Sequence, residues 1–140
     1  MERNKLKKLS EHLGKYPVIL AYLFGSEAKG KSGPLSDIDI ALFIDKGISR
    51  EERFDLRLRV SNELSSIMGV MVDLVILNDA PIQLSFEIIK NGKLISCSNK
   101  ETKVDMEVEI LSRYLDRRYY DKRHAELTLE KIAAGGFQSP

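Results

Sequence analysis

Three aspartates carry the chemistry for which this sequence can be read. Asp37 and Asp39 stand two apart within the run SerAspIleAspIleAlaLeuPheIle, 36–44, and Asp73 sits inside ValMetValAspLeuValIleLeu, 70–77. Side chains alternate faces along a strand, so positions 37 and 39 of one strand point the same way. Ile38, Ile40, Leu42 and Ile44 then point the other way, into a core. An acid among apolar neighbours, as Asp73 is, costs free energy unless it is paired or binds a cation. If the strand at 70–77 lies beside the strand at 36–44, three carboxylates share one place and repel one another when ionised. A divalent cation relieves that conflict. An all-oxygen donor set suits magnesium, two ions of it, or manganese. The competing reading makes Asp37 and Asp39 solvated residues at a strand start and Asp73 an exposed position.

A glycine loop precedes the acids. Gly25 and Ser26 directly follow the apolar run 18–24, and three glycines and a proline fall within residues 25–34. Glycine allows close backbone approach to a ligand, and turn N–H groups can cradle a phosphate. Ser26 adds a hydroxyl donor and Lys29 a positive charge. On its own this is also what a solvated hairpin loop looks like. It is neither a P-loop nor a GxGxxG dinucleotide turn.

The spacing is more specific. Gly25-Ser26, ten residues, then Asp37-x-Asp39 resembles the signature of the DNA polymerase β-like nucleotidyltransferase superfamily. Within it the chain resembles the small, stand-alone minimal nucleotidyltransferases, often the antitoxin partner of a HEPN-domain RNase toxin. GlySerGluAlaLysGly and SerAspIleAspIleAlaLeuPhe match the two core motifs, and ValAspLeuValIleLeuAsnAspAlaPro matches the third-acid strand. IleIleLysAsnGlyLysLeuIle resembles the segment that follows, and the terminal helix matches in style more than in residues. Lys29 stands where many members carry arginine, which keeps the charge and loses the bidentate fork.

The resemblance implies a polymerase β-like fold and an ATP substrate held by Gly25, Ser26, Lys29 and Ser36. It implies magnesium ions on Asp37, Asp39 and Asp73, the catalytic acids, with Asp73 helping to take a proton. It further implies transfer of AMP to a tyrosine hydroxyl of a HEPN toxin, which would silence that toxin. Two other readings stand beside it. One is the same chemistry on a small acceptor of the antibiotic type, although the helical acceptor domain such enzymes usually need is missing. The other is a catalytically silent antitoxin that acts by binding alone.

The elements that must position these residues follow from periodicity. Leu6, Leu9 and Leu13 predict a helix over 2–14, stopped at Gly14. Strands are predicted at 18–24 and 36–44. Ser49 and Glu52 mark the start of a helix that runs to Met68 with Phe54, Leu58, Leu64 and Ile67 inward, and Gly69 ends it. A strand at 70–77, a helix at 82–90 and a strand at 93–97 come next. Val104, Val108, Leu111 and Leu115 keep three-four spacing in a last helix at 101–131, and 132–140 reads as a frayed tail. The fold class is α/β or α+β: one domain over 1–131, a small mixed sheet flanked by helices.

Composition sets the frame. The chain has 140 residues, 43% hydrophobic and 31% charged, which suits one soluble domain with a real core. One cysteine, Cys97, excludes a disulfide framework. Lysine and arginine number 22 against 21 acids, so bulk charge favours neither nucleic acid nor membrane as a direct partner. No signal peptide or membrane-length apolar run is visible, so a cytoplasmic location is expected. His12 and His124 read as surface residues. The basic, tyrosine-rich stretch 113–123 reads as a solvated helix face or a partner contact.

Overall fold

The structure is a computed structural model and describes residues 3–25 and 37–133. Its elements are α1 (Arg3–Leu13), β1 (Val18–Phe24), β2 (Ile38–Ile44), α2 (Arg50–Met68), β3 (Val72–Ile76), α3 (Ile82–Asn91), β4 (Lys93–Cys97) and α4 (Lys100–Ala133). Type and order agree with the periodicity. The four strands form one mixed sheet in the order β3-β2-β1-β4. β1 pairs antiparallel with β2 and with β4, while β2 and β3 are parallel. A parallel pair needs a long crossover, and α2 supplies it.

Two cores sandwich the sheet. On one face, Leu9 and Leu13 of α1 and Val60, Leu64 and Met68 of α2 pack on Ala21, Leu23, Ile38, Ile40, Leu42 and Ile44. On the other, Ile88 of α3 and Met106 and Ile110 of α4 pack on Leu20, Tyr22, Ala41 and Phe43. The alternation along β2 therefore puts its four branched residues where the sequence predicts them. The opposite face is polar only at its start, since Ala41 and Phe43 are buried too.

Two helical stripes differ from expectation. On α2, Leu64 is buried, but Phe54, Leu58 and Ile67 are exposed, and Val60 and Met68 take the inward positions. On α4, Val104, Val108, Leu111 and Leu115 are all exposed, and Met106 and Ile110 face the core. Each helix carries apolar residues on more than one face. Three-four spacing finds such a face without saying which one the sheet covers.

Local signals set the boundaries of α2. Ser49 Oγ accepts a hydrogen bond from the Glu52 N–H at 3.2 Å. Gly69 ends the helix with φ of 71°, a left-handed geometry that glycine adopts without strain. The free edge of β3 is covered by the same helix. Arg57 Nε donates to the Leu74 carbonyl at 2.8 Å, Ser65 Oγ accepts from the Val72 N–H at 2.9 Å, and Ser61 Oγ donates to the Val72 carbonyl. These side chains occupy backbone groups that would otherwise invite a foreign strand.

His12 is less exposed than expected. Its ring packs edge-on to Tyr16, and Nε2 lies 3.5 Å from Glu63 Oε2. Cys97 is half-buried. The predicted tail begins two residues inside α4, and 134–140 lie outside the described residues. Among the described residues, no helix is long and apolar enough to cross a membrane.

Candidate active site

The acids gather at one end of the sheet because of strand register. Asp39 is the second residue of β2, and its partner across the parallel ladder is Asp73 of β3. Across the antiparallel ladder it faces Phe24, the last residue of β1. Partners in a ladder share a face, so Asp39, Asp73 and Phe24 lie on the α3/α4 side, one step off from Ile38 and Ile40. Asp37 precedes β2 by one residue, so it is not part of the strand predicted from residue 36. Asp37 and Asp73 are exposed and Asp39 is half-buried. The exposure of Asp73 removes the burial cost that its apolar neighbours suggest, yet it still stands beside Asp39.

Asp39 feels both neighbours. Its carboxyl is pushed above the usual carboxylate range, first by partial burial, then by the charge of Asp73 and of Asp37. The donor set is all carboxylate, which fits a hard divalent cation. As the side chains stand, no three His, Cys, Asp or Glu among the described residues are placed to hold a metal ion together. The acids are an open, mutually repelling cluster.

Gly25 backs this cluster. Its φ is +73°, and a Cβ built there would meet Asp39 Oδ2 at 2.5 Å. Glycine is required twice over, by the left-handed backbone and by the approach of the carboxylate. The sequence-predicted contacts Ser26, Lys29 and Ser36 lie outside the described residues.

Beneath the acids is a group that sequence patterns do not show. Tyr22, on the same face of β1 and nearly fully buried, donates its hydroxyl to Glu107 Oε1 at 2.6 Å. Glu107 also pairs with Lys103 at 3.0 Å. Burial first, then Glu107, raises the Tyr22 phenol well above its ordinary range, so it stays protonated. The pair ties α4 to β1, the strand that leads into Gly25. The one available signal was a tyrosine inside an apolar strand, whose buried hydroxyl needs a partner. Asn78 has a structural part as well. It donates from Nδ2 to the Ile44 carbonyl and accepts from the Ile44 N–H, both at 2.9 Å, which extends the β2–β3 pairing past the strand end.

A mixed sheet with adjacent acids at the start of two parallel strands, and a glycine turn entering beside them, defines a class. The family model for the polymerase beta nucleotidyltransferases matches residues 6–101, and the chain belongs to that family. Solved structures narrow the likeness to toxin–antitoxin pairs. One, a toxin–antitoxin crystallised with AMP-PNP, is 25% identical with a TM-score of 0.71, covering 92% of this chain and 99% of its own. The MntA–HepT toxin–antitoxin is 22% identical with a TM-score of 0.69, over 91% of this chain and 99% of its own. A tri-AMPylated HEPN toxin of Shewanella oneidensis in complex with its MNT antitoxin is also similar. It is 22% identical with a TM-score of 0.70, over 92% of this chain and 99% of its own. The latter two, at this identity, speak to fold alone. No curated protein matches the chain.

Proposed function

We propose that this chain is an antitoxin that transfers AMP from ATP to a tyrosine hydroxyl of a cognate HEPN toxin. The observation that carries the reading is the pairing of Asp39 with Asp73 across the ladder, with Gly25 set against Asp39. Membership of a nucleotidyltransferase family supports the class of reaction. The AMP-PNP of one similar structure supports the donor, and the acceptor is proposed by analogy with an AMPylated HEPN toxin whose antitoxin shares this fold.

In this reading the tyrosine oxygen attacks the α-phosphorus of ATP. The bond from the α-phosphorus to the bridging oxygen breaks, pyrophosphate leaves, and the hydroxyl proton passes to Asp73 or to water. Asp37, Asp39 and Asp73 would hold the divalent ions, which neutralise charge on the phosphates and lower the pKa of the attacking hydroxyl. The Gly25 turn, with Ser26, Lys29 and Ser36, would receive the triphosphate through N–H, hydroxyl and ammonium donors. Tyr22 and Glu107 hold the floor on which these groups stand. Catalysis of this kind comes from positioning and charge stabilisation rather than a covalent intermediate.

The test is transfer of label from ATP to the purified cognate toxin with magnesium present. Wild type should modify the toxin, and Asp37→Asn and Asp39→Asn should lose at least about a hundredfold in rate. Unchanged labelling by these variants would remove the acids from the chemistry. Full protection of cells by an Asp37/Asp39 double variant would favour neutralisation by binding alone.

A further inference from the structure

The helix that seals one half of the β3 edge stands off from the other half. Arg50, Phe54, Arg57, Ser61 and Ser65 recur at three and four residues along α2. At about 100° per residue they fall within an arc of about 80°. At the end of this stripe nearest the acids, Ser61 and Ser65 bond the backbone of Val72 directly. Towards its start the side chains are longer. Arg57 still reaches the Leu74 carbonyl through Nε, but Phe54 is 56% exposed. There a groove of about 260 Å³ opens, lined by Arg50, Phe54 and Arg57 and by Val75, Pro81 and Leu84. Asp79 lines it too, but both of its carboxylate oxygens are held by Arg53. Among the described residues neither Arg50 nor Arg57 has an ion-pair partner. The groove is therefore apolar with a surplus of positive charge.

This groove runs towards the acids. Val75 is two residues beyond Asp73, on the same face of β3 and about 7 Å along it. Asp73 is exposed and Val75 half-buried, because α3 packs chiefly on α4 and β1 and leaves that face of β3 open. Sheet order decides which reactant comes to this side. Gly25 follows β1, Asp39 lies in β2 next to it, and Asp73 lies on the edge strand β3. In an in-line displacement the attacking and leaving oxygens stand on opposite sides of the phosphorus. With the triphosphate on the Gly25 turn, pyrophosphate leaves on the β1 side and the attacking hydroxyl arrives over Asp73, from the free edge.

We propose that the groove between α2 and the start of α3 holds the acceptor protein, as an extended segment next to the tyrosine that is modified. An apolar side chain of that segment packs on Phe54 and Leu84, and a carboxylate lies between Arg50 and Arg57. Extended chain advances about 3.3 Å per residue, so a tyrosine that reaches Asp73 lays neighbours two to four positions away along Val75 and Phe54. The positive lining selects an acidic segment over a basic one. The proposal rests on the transferase reading and names what selects its acceptor.

Transfer of label from ATP to the purified cognate toxin, with each substrate varied in turn, tests it. Arg50→Glu and Phe54→Ser, both at exposed positions, should each raise the KM for toxin at least about tenfold and leave the KM for ATP unchanged. Arg50→Lys keeps the charge and should recover most of that loss. Lys8→Glu, the same charge change on α1, should behave as wild type, and circular dichroism should show all four variants folded. An unchanged KM for toxin in both groove variants, with wild type labelling the toxin, overturns the groove and leaves the transferase reading standing. A rise in the KM for ATP in place of that for toxin overturns it as well and gives the groove to the nucleotide. A wild type that transfers no label ends both readings together.

Discussion

Asp39 is held in the folded chain at a cost. It is half-buried and shares its end of the sheet with Asp73 and Asp37. Its pKa is raised by folding, so its contribution to stability is present below about pH 4 and is lost as pH rises through the raised value. Asp39→Asn should therefore melt a few degrees above wild type at pH 7 without divalent ions, with the gap closing towards pH 4. Melts at the two pH values check this. Gly25→Ala should destabilise by about 1–2 kcal/mol from the left-handed backbone alone. It should also push the Asp39 carboxylate aside and abolish transfer, which parallel melting and labelling assays would reveal. Tyr22→Phe removes one buried donor and should cost about 1 kcal/mol in urea unfolding. Because folding raises the Tyr22 pKa, the contribution of its neutral phenol is full below about pH 10 and falls as pH rises through the raised value. Tyr22→Phe should accordingly lose less stability than wild type on moving to strongly alkaline pH.

At the scale of elements, α2 both makes the parallel crossover and closes the edge of β3. Ser61 and Ser65 belong to that closure. Replacing both with alanine should cost about 1–3 kcal/mol and leave backbone groups of Val72 free to pair elsewhere. Chemical unfolding together with light scattering would show both effects. The helices also show where sequence periodicity stops. Phe54 and Leu58 keep the spacing of a buried face, yet Val60 and Met68 are the residues that meet Ile40 and Leu42 in the core. A pattern of three and four identifies an apolar stripe. Which stripe meets the sheet depends on contacts from distant parts of the chain. Glu107 illustrates the same point, because it is 85 positions from the Tyr22 hydroxyl that it accepts.

For the molecule as a whole, the arrangement follows from β1 and β2 being covered on both faces. Leu20 and Tyr22 point to one core and Ala21 and Leu23 to the other, which leaves only the sheet ends for polar groups. The acids occupy one such end. That much was legible in the sequence, since alternation fixed the face of Asp39 and the third apolar strand offered Asp73 as its neighbour. The position of Asp37 outside β2 was not legible, because strand starts depend on pairing rather than on residue type. The central claim is that Asp37, Asp39 and Asp73 meet a metal-bound polyphosphate. Calorimetric titration of ATP with magnesium into wild type and into an Asp37→Asn/Asp39→Asn double variant tests it most directly. The expected result is one saturable binding event for wild type and none for the variant. Equal binding by both, or none by wild type, would contradict it.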